Sequence, residues 1–181
     1  RRVLFRSDMS VFEAKDAVFS GRSQVAIDNL TETLRREPGN FEAHNVRGVA
    51  YCLVGKFDLA EADFVSALAI NPSYYKAMAN LCLVLRLKGR DETTLRASIE
   101  CFEKLLLEHQ PEIDFVATIY YNIACTWALM NSIDKAFEFL QKAVDHGYSD
   151  LINLMNDNEL DGIRGDSRYQ TIVEAVRAKS R

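Results

Sequence analysis

The side chains that could carry out chemistry in this chain are three histidines, four cysteines and scattered acidic residues. His44, His109 and His146 lie in separate stretches, and none belongs to a His-x-x-x-His arrangement. A catalytic site needs a nucleophile with a base, paired carboxylates or a metal cluster, and no such constellation is visible. Glycine-rich phosphate loops of the forms GxGxxG and GxxxxGKS/T are also absent from the sequence. These observations predict that the chain is not an enzyme and that it binds no cofactor.

One acidic stretch near the C-terminus begins like a calcium-binding loop. It reads Asp157-Asn158-Glu159-Leu160-Asp161-Gly162. A calcium loop requires an acidic residue at its twelfth position, where this chain has Arg168. We therefore interpret the stretch as a capping turn and predict no metal site.

The four cysteines are dispersed and contain no CxxC pair. Each falls inside an apolar stretch with helical spacing, so we interpret all four as small, reduced core residues. A zinc or disulfide role is the less favoured alternative. The residues are Cys52, Cys82, Cys101 and Cys125.

Composition and charge restrict the class of partner. The 181 residues are 48% hydrophobic and 27% charged, with a net charge of −4 and a pI near 5.4. This balance argues against a general nucleic-acid binder, which needs a basic face for phosphates. No uninterrupted apolar run is long enough to span a bilayer, so we predict a cytoplasmic protein that binds neither nucleic acid nor membrane.

The first seven residues, Arg1-Arg2-Val3-Leu4-Phe5-Arg6-Ser7, resemble the translation of a sequencing adapter. We expect the native sequence to begin near Asp8 or Met9. On this interpretation the gene is truncated, and an upstream domain or targeting signal would be missing.

The elements that must position any functional residue recur at a constant interval. Glu37-Pro38 and Asn71-Pro72 lie 34 residues apart, and Gly21, Gly55 and Gly89 keep the same interval. The apolar residues between these marks follow helical spacing. Each unit therefore predicts two helices joined by a glycine turn, with a proline after the second helix.

This pattern resembles the tetratricopeptide repeat, a 34-residue helix–turn–helix unit. The stretch 41–74 supplies Gly48, Tyr51, Ala60, Phe64, Ala67 and Pro72 at the matching places. It departs from the pattern at His44 and Arg47, where a bulky apolar residue and leucine are usual. Asp91-Glu92-Thr93-Thr94 predicts a longer turn with an N-cap in the third unit.

The resemblance implies an all-α, right-handed solenoid of about four repeats with a C-terminal capping segment, similar to bacterial arrays of this family. We expect the repeats at about 8–40, 41–74, 75–112 and 113–148, and the cap at 149–181. Within the cap we expect a short helix at Leu151–Met155 and a final helix at about Asp166–Ala178. Such a cap covers the apolar face that the last repeat would otherwise expose to water.

The family resemblance also implies a concave groove, lined by the first helix of each repeat, that binds a peptide or a helix. The groove residues carried over to this sequence are Asn45, Val46, Val49, Lys76, Asn80, Leu83, Tyr121 and Asn122, with Val11, Phe12, Lys15, Thr118 and Cys125 beside them. Some family members grip a peptide backbone with asparagine at the positions of Asn80 and Asn122. The alternative is that these amides are solvated or bond to a neighbouring helix. Lys76 and Arg86 would give the groove a positive character.

The leading hypothesis is a scaffold that binds a protein segment in this groove. The alternative is the C-terminal regulatory part of a larger, truncated enzyme or sensor, and self-association through an exposed helix face is a third hypothesis. Binding of a chaperone C-terminal tail is disfavoured, because Lys76 alone keeps the residue type used for that purpose. The identity of the partner is not encoded in a recognisable motif.

Overall fold

Ten α-helices and one 3-10 helix build the part of the chain that the computed structural model describes, residues 9–108 and 111–179. The α-helices are α1 (Val11–Phe19), α2 (Ser23–Arg36), α3 (Phe41–Leu53), α4 (Phe57–Ile70), α5 (Tyr75–Lys88), α6 (Glu92–Glu108), α7 (Ile113–Leu129), α8 (Ile133–Asp145), α9 (Leu151–Asn156) and α10 (Ser167–Lys179). The 3-10 helix Asn158–Ile163 lies between α9 and α10. These described residues include no β-strand, so the predicted all-α class is confirmed. The adapter-like residues 1–7 and His109 lie outside the described residues.

The helices form two compact units, which are described separately below. The first unit contains α1 to α5 and ends at Lys88, and the second begins at Gly89 and contains α6 to α10. The division falls between the two helices of the third predicted repeat, 75–112. The repeat boundaries themselves remain a prediction.

Local sequence signals account for the helix ends. Ser10 and Glu13 form a capping box at the start of α1, in which each side chain accepts a hydrogen bond from the other residue's backbone amide. The turns after α1 and α3 contain Gly21 and Gly55 with φ of +76° and +73°, a conformation that glycine adopts without strain. Asn131 takes the equivalent left-handed position after α7, with φ of 55°.

The longer turn before α6 is capped as predicted. The Asp91 carboxylate accepts hydrogen bonds from the backbone amides of Thr93 and Thr94 at 3.0 and 3.1 Å. These bonds satisfy two of the amides that a helix start leaves without a partner. They also lower the pKa of Asp91 below its ordinary value, with the Thr94 backbone contact as the largest cause.

Small residues let the helices of the first unit approach closely. A Cβ placed on Gly48 of α3 would lie 2.5 Å from the Cε1 atom of Phe64, which is fully buried on α4. The absence of a side chain at Gly48 is therefore required for the ring to occupy its place. The fully buried alanines of this unit act in the same way: Ala14, Ala17, Ala26, Ala43, Ala50, Ala60, Ala67 and Ala77.

The C-terminal segment covers apolar residues of the second unit. The 3-10 helix packs against α7, and α10 packs against α8 and α9. The buried Tyr169 hydroxyl of α10 donates a 2.7 Å hydrogen bond to the backbone carbonyl of Leu154 in α9. Arg168 bonds to Asp134 at 2.8 Å and stacks over the ring of Phe137. The two helices predicted in this segment are present at Leu151–Asn156 and Ser167–Lys179.

The cysteines do not all behave as the sequence suggested. Cys52 and Cys125 are free thiols, the first half-buried and the second buried. Burial raises the pKa of Cys52 to about 11. Cys82 and Cys101 are not free thiols, so the interpretation of all four as reduced residues is wrong for these two. Spacing along a chain does not reveal the surroundings of a thiol once the chain is folded.

Candidate partner-binding surface

Two of the predicted groove residues meet in the first unit. The side-chain nitrogen of Asn80, on α5, donates a 2.9 Å hydrogen bond to Oδ1 of Asn45, on α3. Asn45 is only 7% exposed, whereas Asn80 is half-buried. The alternative interpretation, in which the amide bonds to a neighbouring helix, therefore applies to both asparagines, and Asn80 is in addition partly accessible to a ligand.

Tyr74 is an aromatic neighbour of Asn45. Burial is the largest cause that raises the pKa of the Tyr74 phenol, and it outweighs the opposite effect of the nearby Asn45 side chain. The Tyr74 ring packs edge-on against Phe41 with 4.9 Å between ring centroids. The recorded hydrogen bond of the Asn45 amide is the one that its oxygen accepts from Asn80.

Other predicted residues of the first unit differ in accessibility. Val46 is buried in the core, while Val49 and Leu83 are half-buried. Lys76 is exposed, with its ammonium 5.9 Å from the centroid of the Tyr75 ring. Arg86 is buried, so the expectation that its charge contributes to a groove surface is wrong. On α1, Phe12 and Lys15 are exposed and Val11 is half-buried.

An apolar cleft of about 660 Å³ lies beside the turns that end α1 and α3. Its lining residues are Val18, Phe19, Gly21, Ser23, Gln24, Val49, Leu53 and Val54. Phe19 and Leu53 are 77% and 62% exposed, which is unusual for large apolar side chains. Sequence reasoning missed this cleft, although apolar residues two positions before the turn glycines, at Phe19 and Leu53, were a visible signal.

A buried ionic cluster occupies the two positions at which the sequence departs from the repeat pattern. The Asp63 carboxylate on α4 accepts two 2.7 Å hydrogen bonds from the guanidinium of Arg47. Nδ1 of His44 lies 2.9 Å from the same carboxylate, and Arg47 also donates to the Thr31 hydroxyl at 3.1 Å. The bond to Asp63 is the main cause that raises the pKa of Arg47. Sequence reasoning missed Asp63, whose signal was an acidic residue directly before the buried Phe64.

In the second unit, the predicted groove residue Tyr121 is covered by the chain's own C-terminal segment. Its hydroxyl donates a 2.8 Å hydrogen bond to the carboxylate of Asp157, and the residue is 4% exposed. Its ring stacks on Tyr148 with 4.4 Å between centroids and 5° between planes. Burial is the largest cause that raises the pKa of Tyr121, followed by the charges of Cys125 and Tyr148.

Asn122 makes a local contact within its helix. Its side-chain nitrogen donates a 2.9 Å hydrogen bond to the backbone carbonyl of Thr118, one turn earlier in α7. The residue is half-buried, and Thr118 is exposed. The two asparagines with the same predicted role, Asn80 and Asn122, are therefore held differently.

Three side chains near Tyr121 have atoms of the kinds that bind metal ions. The ligand-type atoms of Cys125, Asp157 and Glu159 all lie within 4.8 Å of one another. The Asp157 carboxylate, however, accepts hydrogen bonds from Tyr121 and from the backbone amide of Glu159, and it lies 3.6 Å from the Cys125 sulfur. These contacts explain the position of the Asp157 side chain, which caps the 3-10 helix. We assign no metal to this group of side chains.

Comparison with known proteins agrees with this architecture. Residues 13–75 match the family model of the tetratricopeptide repeat. A TPR repeat-containing protein of Rhizobium etli is 27% identical over 84 residues, which cover 46% of this chain and 41% of that protein. Residues 13–75 are therefore tetratricopeptide repeat sequence. An FK506-binding protein-like protein of Mus musculus is 36% identical over 72 residues, which cover 40% of this chain and 20% of the relative.

Solved structures share the fold of this chain. MamA residues 41 to the end from Desulfovibrio magneticus RS-1 align with a TM-score of 0.65 at 20% identity, covering 93% of both chains. A thermophilic TPR protein of Thermus thermophilus aligns with a TM-score of 0.66 at 17% identity, covering 91% of this chain and 79% of that one. The match spans less than half the length of the curated relatives named above. Across the described residues, no helix has the length and apolar character needed to cross a membrane.

Proposed function

We propose that this chain is a protein-interaction scaffold whose first unit binds an extended segment of a partner protein along α3 and α5. The observation that supports this most directly is the Asn45–Asn80 pair. Asn80 is half-buried, and its side-chain oxygen accepts no hydrogen bond from the residues that the structure describes. An asparagine amide both donates and accepts, and so can bind a peptide backbone without regard to side chains.

The residues around Asn80 fit a segment of mixed character. Lys76 and Leu83 lie four residues before and three after it on α5, so all three share one helix face. Val49 lies one turn after Asn45 on α3. This face therefore offers apolar contact beside an amide and an exposed ammonium, which favours a partner with apolar and acidic side chains.

The proposed face is smaller than the groove predicted from the sequence. Tyr121 is covered by the C-terminal segment, and a partner could reach its hydroxyl only by displacing Asp157. We therefore assign Tyr121 to the support of the cap and place partner binding on the first unit. Binding rather than catalysis is the proposed activity, since the family is of the scaffold type.

The test is selection of peptides from a displayed random library against the full chain, followed by affinity measurements on two variants. We expect Asn80→Ala to weaken binding of the selected peptides by about tenfold, because the variant loses one hydrogen bond to the peptide. Asn122→Ala is the matched control and should bind as the wild type does. Equal affinity of wild type and Asn80→Ala, with helicity unchanged by circular dichroism, would overturn the proposal.

A second candidate is that the chain is the interaction part of a longer protein with another activity. This candidate is favoured because the match covers only 20% of the length of the FK506-binding protein-like relative and 41% of the length of the Rhizobium protein. Sequencing the gene upstream of residue 8 tests it, and an in-frame stop codon directly before Met9 would exclude it.

A further inference from the structure

The solvent-exposed face of α4 is apolar over almost its whole length. Of the residues of this helix that are exposed, Asp58 alone is charged. The others, which we call the α4 strip, are Leu59, Ala62, Val65, Ala69 and Ile70. Leu59, Val65 and Ile70 are 48%, 50% and 41% exposed. A helix that is apolar on all sides is normally buried on all sides, so this face lacks the cover that its composition indicates.

The corresponding faces of α2 and α8 are polar. The exposed residues of α2 lie 34 positions before exposed residues of α4, and they are Gln24, Asp28, Thr31, Arg35 and Arg36. The exposed residues of α8 are also all polar, namely Asp134, Lys135, Glu138, Gln141 and Asp145. The repeat fold therefore does not require apolar side chains on this face, and packing within the chain does not explain the α4 strip.

The spacing of small and large residues on α4 fits a second copy of the same helix. Leu59, Ala62, Ser66 and Ala69 are 3, 4 and 3 residues apart, which is the spacing along the seam of paired helices. In an antiparallel pair, Leu59 lies opposite Ala69 of the second copy and Ala62 lies opposite Ser66 of the second copy, so no two large side chains collide. Val65 lies beside this seam, next to Val65 of the second copy. The Ser66 hydroxyl donates a 2.8 Å hydrogen bond to the Ala62 carbonyl, so its burial leaves no donor unsatisfied.

Electrostatics does not oppose this arrangement. Antiparallel helices place the N-terminal end of each α4 beside the C-terminal end of the other, which is the favourable order of two helix dipoles. The two copies of Asp58 lie at opposite ends of the pair, about 18 Å apart along the helix axis. Each Asp58 carboxylate is also bonded to Lys88 of its own chain at 2.7 Å. The facing surfaces between these ends carry no charge.

We propose that this chain associates with a second copy of itself through the α4 strip, in an antiparallel pair of α4 helices. The surface is separate from the α3–α5 face of the proposed function, since α4 contributes no residue to that face. The strip is one helix face about 17 Å long and about 10 Å wide. Stable dimers bury about 800 Å² per partner, so we expect a weak, reversible dimer that forms at high protein concentration.

Sedimentation equilibrium of the full chain tests the association at concentrations from about 10 μM to about 1 mM. The average mass should rise from 20.5 kDa towards twice that value and no further, because a two-fold axis closes the assembly. A monomer at every concentration would overturn the inference and would leave the strip to a helix of a different protein. A mass that rises beyond the dimer would also overturn it.

Charge substitutions at Val65 test the geometry. Val65→Lys places two ammonium groups next to each other and should weaken dimerisation at least about tenfold. Val65→Glu should have the same effect, whereas an equimolar mixture of the two variants should dimerise again, because a lysine then lies next to a glutamate. Phe12→Lys, at an exposed apolar residue of α1, is the matched control and should dimerise as the wild type does.

Circular dichroism verifies that each variant keeps its helices. With helicity unchanged, failure of the mixed Val65 variants to dimerise would overturn the two-fold pairing. A loss of dimer in Phe12→Lys equal to that in Val65→Lys would overturn the assignment to α4. Asn80→Ala should dimerise as the wild type does, so the outcome is independent of the peptide-binding proposal.

Discussion

The hydroxyl of Tyr121 donates a hydrogen bond of 2.8 Å to the carboxylate of Asp157, a residue 36 positions later in the chain. This contact joins α7 to the start of the 3-10 helix in the C-terminal segment. Tyr148 stacks on Tyr121, and its own hydroxyl accepts a 2.9 Å hydrogen bond from Asn153. The C-terminal segment is therefore attached to the last repeat by specific polar contacts as well as by apolar packing.

Removing the Tyr121 hydroxyl should destabilise the second unit. Tyr121→Phe keeps the stacked ring but leaves the Asp157 carboxylate without its buried donor, at a cost of about 2 kcal/mol. Urea unfolding followed by the fluorescence of Trp127, the single tryptophan, reports this unit. The control is Tyr120→Phe, because the Tyr120 ring contacts Phe139 and His146 and no described residue bonds to its hydroxyl. Equal midpoints for wild type and Tyr121→Phe would contradict the role of this bond.

Replacing one residue of the buried ionic cluster should change the stability of the first unit differently from replacing all three. Arg47→Leu leaves the Asp63 carboxylate buried without its main partner and should cost about 3 kcal/mol. The triple variant Arg47→Leu, His44→Leu and Asp63→Leu replaces the whole cluster by apolar side chains and should be within about 1 kcal/mol of the wild type or more stable. Hydrogen exchange of the backbone amides of α3 and α4 measures the stability of both variants. A triple variant less stable than Arg47→Leu would show that the cluster has no apolar substitute.

A methyl group at Gly48 should be poorly tolerated. Gly48→Ala would bring a Cβ to 2.5 Å from the ring of Phe64, and the cost of overpacking is about 1–3 kcal/mol. Gly39→Ala is the matched control, since nothing lies within 4 Å of a Cβ at that position and its φ is not in the left-handed region. Thermal unfolding of the two variants by circular dichroism makes the comparison. A Gly48→Ala variant more stable than the wild type would mean that Phe64 moves without an energetic cost. The higher helix propensity of alanine would then dominate.

Alkaline pH should loosen the second unit at Tyr148. Burial, the largest cause, raises the pKa of this phenol from 10.0 to about 12. A group whose pKa is higher in the folded chain stabilises that state while it is protonated, so the contribution is complete below pH 10 and is lost as the pH rises to about 12. Tyrosinate absorbance and circular dichroism, recorded together between these pH values, should show late ionisation accompanied by loss of helix. In Tyr148→Phe the late phase should decrease in amplitude, and an unchanged titration would refute the assignment.

The helices and their ends follow from local features of the sequence. The apolar spacing, the turn glycines at 34-residue intervals and the capping residue Asp91 each act within a few neighbouring residues. Backbone conformation depends on such short-range interactions, and the all-α class could therefore be predicted. The need for a residue without a side chain at Gly48 was also visible from the repeat pattern, although the partner Phe64 was identified only as part of that pattern.

The accessibility of the candidate site depends on side chains that are distant in the sequence. Asn45 and Asn80 were both assigned to a groove, and their mutual hydrogen bond could not be read from the helical spacing. The spacing gives the face of a helix on which a residue lies, but it does not give the side chain opposite. The same limit applies to Arg47 and Asp63, whose pairing joins two helices.

The amino-acid sequence by itself determined the helical repeat, the turns and the presence of a C-terminal capping segment, because periodicity, left-handed turn residues and N-caps act locally. The tertiary structure decided which of the predicted binding residues are accessible. It buried Tyr121 beneath Asp157 and turned the Asn80 nitrogen toward Asn45, because packing between helices selects one rotamer and one partner for each buried polar group.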